Sequence, residues 1–127
     1  MGPADLGLRY DFLMLGKLAD DPYFIRKMLE MFIDRIPDQV QALQDAVERE
    51  DWDTASREAH TMKSTFGTFN IRPEVGTLKM VEELAELRAP KSEILPFVAS
   101  VSKGAQLFVA LFTEELVKLP PAQNEVA

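Results

Sequence analysis

Apolar residues recur along this chain at steps of three and four over most of its length. From Phe24 they run through Met28, Met31, Phe32, Ile36, Val40 and Leu43 to Val47. A second run is Trp52, Ala55, Ala59, Met62, Phe66 and Phe69; a third is Val75, Leu78, Val81 and Leu84. The fourth is Ile94, Val98, Val101, Ala105, Phe108, Phe112 and Leu116, with Ser92 near its start. A shorter and less regular helical stretch, Leu6 to Leu18, comes first and ends at Ala19-Asp20-Asp21-Pro22. Pro37 interrupts the first long helix, because it lacks a backbone donor and crowds the preceding turn, so a bend is expected there. Asp51 suits the N-cap of the second helix, Asn70 its left-handed C-cap, and Pro73 the first turn of the third.

No strand alternation or hairpin signal competes with this pattern. The links between runs, Glu48 to Asp51, Asn70 to Arg72 and Arg88 to Lys91, are short, which makes successive helices antiparallel neighbours. The expected fold is all-α: an up-and-down antiparallel four-helix bundle with an additional short N-terminal helix. Residues 1–127 form one domain by length, with a core over about 6–119 and a disordered tail over 120–127.

Composition narrows the chemistry. The chain has no cysteine, hence no disulfide framework and no thiolate metal site. No apolar run approaches the roughly 18 residues of a bilayer span, and no basic-then-apolar leader opens the chain. A soluble, cytoplasmic protein is expected. The formal net charge of −7 argues against nucleic acid and anionic membrane as partners. Any anion handled here must sit at a local exception to that charge.

His60, the only histidine, marks such an exception. At about 100° per residue it falls roughly 130° from the apolar stripe of its helix, so it should face water. One turn before it stand Ser56 and Arg57; one turn after come Lys63 and Ser64; Gly67 follows a turn later. These neighbours are small or basic, no acid occupies the three- or four-residue spacings, and the ring is open to a partner's surface. A solvated imidazole is mostly neutral and nucleophilic near neutral pH. Once phosphorylated it would carry nearly two negative charges, and Lys63 is within reach of them. Metal binding is disfavoured, because there is no second histidine and no carboxylate at helical spacing. The acid runs Glu82-Glu83 and Glu114-Glu115 read as ordinary solvated faces, and methionines 14, 28, 31, 62 and 80 as core filler.

The segment "HTMKSTFGTF", His60 to Phe69, is similar to the core pattern of the histidine-containing phosphotransfer domains of multistep phosphorelays: His, two residues, Lys, small residues, then Gly-x-Phe. The upstream "PYFIRKMLEMFIDRIPDQVQALQDAVEREDWDTASREAH", with its mid-helix proline and Asp-Trp turn, resembles the same family, as does "VGTLKMVEELAEL" downstream. The resemblance implies that His60 accepts a phosphoryl group from a receiver-domain aspartate on its outer ring nitrogen and passes it to another receiver. It implies Lys63 beside the phosphate, and Ser64 and Gly67 along the approach. Ser56 and Arg57 are further candidates for phosphate or receiver contact. Two positions depart from the family: Ser64 stands where Gly is common, and Asn70 where a second Gly occurs.

The implied partners are response-regulator receiver domains and a hybrid sensor kinase. A monomer is expected, since four helices close a bundle without a second chain. No cofactor is expected on this chain; in-line phosphoryl transfer needs metal and charge clamps, and no Gly-rich phosphate loop supplies them here. Magnesium would reside on the receiver, and no ATP-dependent kinase activity is expected. Three other readings compete: a helical adaptor that binds receivers without phosphate, the dimerisation and phosphoacceptor domain of a sensor kinase, and the first domain of a chemotaxis kinase. The sensor-kinase box has an acid directly after its histidine and a proline soon after, whereas Thr61 follows His60 and the next proline is Pro73.

Overall fold

The computed structural model describes residues 10–121. Four α-helices follow a 3-10 segment, Leu13–Asp20: α1 is Pro22–Glu48, α2 Trp52–Thr68, α3 Arg72–Glu86 and α4 Lys91–Val117. Among the described residues there is no strand. The expected start of the N-terminal helix at Leu6 lies outside them, as does the expected 120–127 tail apart from Pro120 and Pro121, of which Pro120 is held by Arg26.

Helices α1 and α2 begin where a side chain satisfies free N–H groups, whereas α3 and α4 begin without a side-chain cap. The Asp21 carboxylate accepts from the Tyr23 and Phe24 amides at 3.0 and 3.3 Å, with Pro22 opening α1. Asp51 accepts from the Thr54 amide at 3.2 Å, the cap expected for α2. All three interhelical links are built alike. Each has one residue with positive φ, namely Glu50 (57°), Asn70 (54°) and Arg88 (54°). The following amide then reaches back into the helix: Asp51 N–H donates to Ala46 O, Ile71 N–H to Phe66 O, and Ala89 N–H to Leu84 O. This is the Schellman ending, made here without glycine.

Helices α1 and α4 run antiparallel, as do α2 and α3. Lys91, at the start of α4, donates to the Glu48 carbonyl at the end of α1 (3.3 Å). At the other end, Arg26 of α1 donates to the carbonyls of Leu116 and Pro120 at 2.9 and 2.6 Å, which caps the C-terminus of α4. Each helix packs on its sequence neighbour, α1 closes the ring against α4, and α2 and α3 form the most extensive pair. Pro37 lies within α1, which the structure carries through it without interruption. Pro96, unremarked in the periodicity, lies within α4.

The core agrees with the apolar runs of α2, α3 and α4, while that of α1 shifts by one position near its start. Ile25 and Leu29 are buried, and Phe24, Met28 and Met31 only partly so. Methionine is not uniformly core filler: Met62 is fully buried, but Met14 is 69% and Met80 40% exposed. The N-terminal segment is a pair of 3-10 turns broken at Gly16 (φ 61°) and contributes no fully buried residue. Tyr10, Phe12 and Leu15 pack on the core from its edge. Helix α4 is, by length and composition, apolar enough to cross a membrane, although no unbroken apolar run marks it. Its inner face nevertheless supplies Ile94, Val98, Val101, Ala105, Phe108 and Phe112 to the bundle core.

Candidate functional site

His60 lies midway along α2 with 67% of its side chain exposed. Its position follows from the stripe residues that flank it in sequence. Ala59 and Met62 are completely buried and fix the rotation of the helix, which carries His60 outward.

The nearest partner comes from another helix. Glu82 of α3 places Oε2 2.9 Å from His60 Nδ1, and its Oε1 accepts from Lys63 Nζ at 2.6 Å. One carboxylate thus joins the imidazole and the ammonium. Glu82 is only 15% exposed and Lys63 27%. The Lys63 ammonium, helped by the His60 ring, holds the Glu82 carboxyl below the usual carboxylate range, although burial pushes the other way. An ionised carboxylate at that distance accepts a hydrogen bond, so Nδ1 carries the proton of the neutral imidazole. The lone pair then resides on Nε2, the ring nitrogen turned away from Glu82.

This corrects two expectations. Glu82 is not part of a solvated acid face, and the surroundings of His60 are not solely small or basic. Acids absent from the helical spacings of α2 arrive from α3. Lys63 is likewise engaged with Glu82 and does not stand as an unmatched cation.

The other candidates divide around His60. On one side an open hollow of about 420 Å³ is lined by Ser56, Arg57, His60 and Thr61 of α2 and by Glu82 and Glu86 of α3. There Ser56 Oγ donates to Glu86 at 3.4 Å, and Arg57 turns back to Thr54 Oγ1 at 3.3 Å. On the other side, exposed Ser64 shares a smaller hollow of about 120 Å³ with Met28, Met31 and Arg35 of α1. Gly67 lies one turn beyond. A Cβ there would meet nothing within 4 Å, so helix packing does not require this glycine. Thr61, Thr65 and Thr68 each return the hydroxyl to the carbonyl four residues back, at 3.1, 3.2 and 3.1 Å. Their hydrogen-bonding capacity is thereby partly met within α2, which lowers the cost of covering this face. Among the described residues no cluster of acids and histidine could hold a metal ion.

A family model, the Hpt domain, matches residues 27–100, more than half of the chain. The chain belongs to the Hpt domain family. No curated protein and no solved structure matches it. The matched span contains α2 and α3 whole, hence His60, Lys63 and Glu82, together with most of α1. Membership assigns this Hpt domain to histidine phosphotransfer in phosphorelays and makes receiver domains its class of partner.

Proposed function

We propose that His60 Nε2 is the phosphoacceptor, taking a phosphoryl group from a receiver-domain aspartyl phosphate and returning it to the aspartate of another receiver. The observation that carries this reading is the contact of Nδ1 with Glu82 on a side chain that is 67% exposed, which favours Nε2 as the nitrogen that keeps the lone pair. In the forward step Nε2 forms a bond to phosphorus while the bond from phosphorus to the aspartyl oxygen breaks, and the carboxylate departs. The imidazole then holds the phosphoryl group and a positive charge, and the Nδ1 proton stays on the ring facing Glu82. That carboxylate stabilises the cationic ring, and the reverse transfer relieves it.

Lys63 begins bound to Glu82. A phosphoryl group on Nε2 brings nearly two negative charges into competition for the same ammonium, so Lys63 is a shared cation, bound to whichever anion dominates. Ser64 and Gly67 leave the approach on the α1 side low, and Ser56 and Arg57 border the other flank. In-line transfer also needs a metal ion and an oriented acceptor aspartate. Both are assigned here to the receiver, and no ATP-dependent step to this chain. The relay partners are a hybrid sensor kinase upstream and a response regulator downstream.

The test is incubation with receivers carrying labelled aspartyl phosphate. The expected product is an acid-labile, base-stable label on His60, absent in His60→Gln with helicity unchanged. Full labelling of that variant would remove His60 from the mechanism. Receiver binding without any label on the wild type would instead make the domain an adaptor.

A further inference from the structure

The outer face of α4 differs from those of the other helices. Helix α1 turns Asp34, Arg35, Asp38, Asp45 and Glu48 to solvent. Along the outward stripe of α4, exposed residues fall at Pro96, Ser100, Lys103, Leu107, Ala110, Glu114 and Val117. The steps alternate between four and three, the spacing of a coiled-coil seam. Only two of the seven are charged. Leu107 is 40% and Val117 84% exposed, and only 33% of the most apolar 18-residue window of α4 is buried. Alongside the stripe, Ala99, Gln106 and Thr113 are exposed and uncharged.

The order of these residues is self-complementary. A two-fold axis between Phe108 and Val109 would set two α4 helices antiparallel. It would bring Lys103 opposite Glu114 of the partner subunit, Leu107 opposite Ala110 of the partner subunit, and Ser100 opposite Val117 of the partner subunit. Both ion pairs form at once, because a two-fold contact repeats every interaction. Within the described residues neither Lys103 nor Glu114 has an ionic partner in its own chain. Large residues meet small ones across the seam, which lets the backbones come close.

We propose that this face is an isologous dimer interface, occupied by α4 of a second copy of the chain. Its charge pattern selects that occupant: a lipid surface would favour basic residues, and here one acid balances one base. The seam from Pro96 to Val117 is roughly 30 Å long. A single helix pair of that length lies at the small end of specific interfaces, so association is weak and concentration-dependent. The proposal departs from the monomer expected from bundle closure, since closing the core leaves the outside of α4 uncovered. Helix α2 lies diagonal to α4 in the ring, so the dimer displays two His60 side chains, both clear of the seam.

Sedimentation equilibrium over a wide concentration range tests this. Wild type should self-associate in the micromolar-to-millimolar range. Lys103→Glu or Glu114→Lys alone should weaken association by about tenfold or more, because each places like charges opposite one another twice. The double variant K103E/E114K should restore it, which also shows that neither reversal acts by unfolding. A wild type that stays monomeric throughout, or a dimer indifferent to the single reversals, overturns the proposal. So does pelleting with phosphatidylserine-containing vesicles that Leu107→Glu abolishes. None of these readouts involves phosphate on His60, so the relay reading and the dimer can fail independently.

Discussion

The two halves of the bundle core are made of different materials. At the end formed by the start of α1, the end of α2 and the end of α4, aromatic rings interlock. Phe32 lies 4.9 Å from Phe112, 5.3 Å from Phe66 and 5.5 Å from Phe69 between ring centroids, and Tyr10 joins from the N-terminal segment at 5.1 Å from Phe112. At the opposite end the fully buried positions of α2 and α3 are mostly small: Ala55, Ala59 and Ala85, with Val81 beside them. Helix separation follows side-chain size. The small half lets α2 and α3 come together most extensively, and that approach allows a carboxylate on α3 to reach two residues on α2. The aromatic half stabilises the fold; the alanine half positions His60, Lys63 and Glu82.

Substitutions in the two halves should therefore fail in different ways. Phe112→Ala removes a ring in contact with four others and leaves a cavity. About 3–5 kcal/mol of unfolding free energy should be lost in urea titration. Molecules that remain folded should accept phosphate normally, because His60 is on the exposed face of α2 and Phe112 is in the core. Ala59→Leu overfills the alanine half and should cost about 1–3 kcal/mol. Unlike the aromatic deletion, it should also detach Glu82 from His60. The Nδ1–H tautomer, followed by imidazole nitrogen chemical shifts, should give way to a mixture. An unchanged tautomer in Ala59→Leu would mean that small core residues do not set the site.

Much of this was readable from spacing alone. Helical periodicity located four helices, the Asp51 cap and the left-handed Asn70, because those features depend on residues within a turn or two of one another. The outward direction of His60 followed from the same rule. Glu82 did not, since it is twenty-two positions away and its role exists only once α3 lies beside α2. Its one sequence signal is modest: Glu82 falls one position from the buried Val81, at the margin of the apolar stripe, whereas Glu83 lies further round the helix. The offset in α1 has a similar origin. Phe24, Met28 and Ile25, Leu29 offer two rival stripes one residue apart, and only packing selects between them.

Glu82→Gln perturbs the alanine half through charge in place of volume. The amide keeps the shape but weakens two charge-assisted hydrogen bonds, so about 1–2 kcal/mol should be lost at neutral pH. The pH dependence has a definite sign. The Glu82 carboxyl is lowered in the folded state from its ordinary value of 4.5, so its contribution is complete above that value and disappears as pH falls through the lower, folded one. The stability gap between wild type and Glu82→Gln should thus be present above the ordinary carboxyl value of 4.5 and close as pH falls below it. A gap that persists in acid would mean that shape, not charge, makes the contact. With phospho-receivers, the variant should label more slowly, since neither a fixed tautomer nor an anion beside the cationic ring remains.

The smallest effects belong to the links, where the same left-handed geometry is occupied by residues of different worth. Glu50 adopts φ 57° with no side-chain partner among the described residues, a conformation that penalises a Cβ. Glu50→Gly removes the penalty but adds freedom to the unfolded chain, and the balance should be a gain of about 0.5–1 kcal/mol. Asn70 has the same φ within 3°, yet its amide donates to Asp11 at 2.8 Å and its carbonyl oxygen accepts from Arg72 at 3.2 Å. The Asp11 amide in turn donates to Phe69 O at 2.9 Å, so Asn70 fastens the N-terminal segment to the end of α2. Asn70→Gly should therefore lower the melting midpoint where Glu50→Gly raises it, and should speed amide exchange at Asp11. Equal gains from both substitutions would show that the tie to Asp11 contributes nothing, and that Asn70 is only a tolerated left-handed cap.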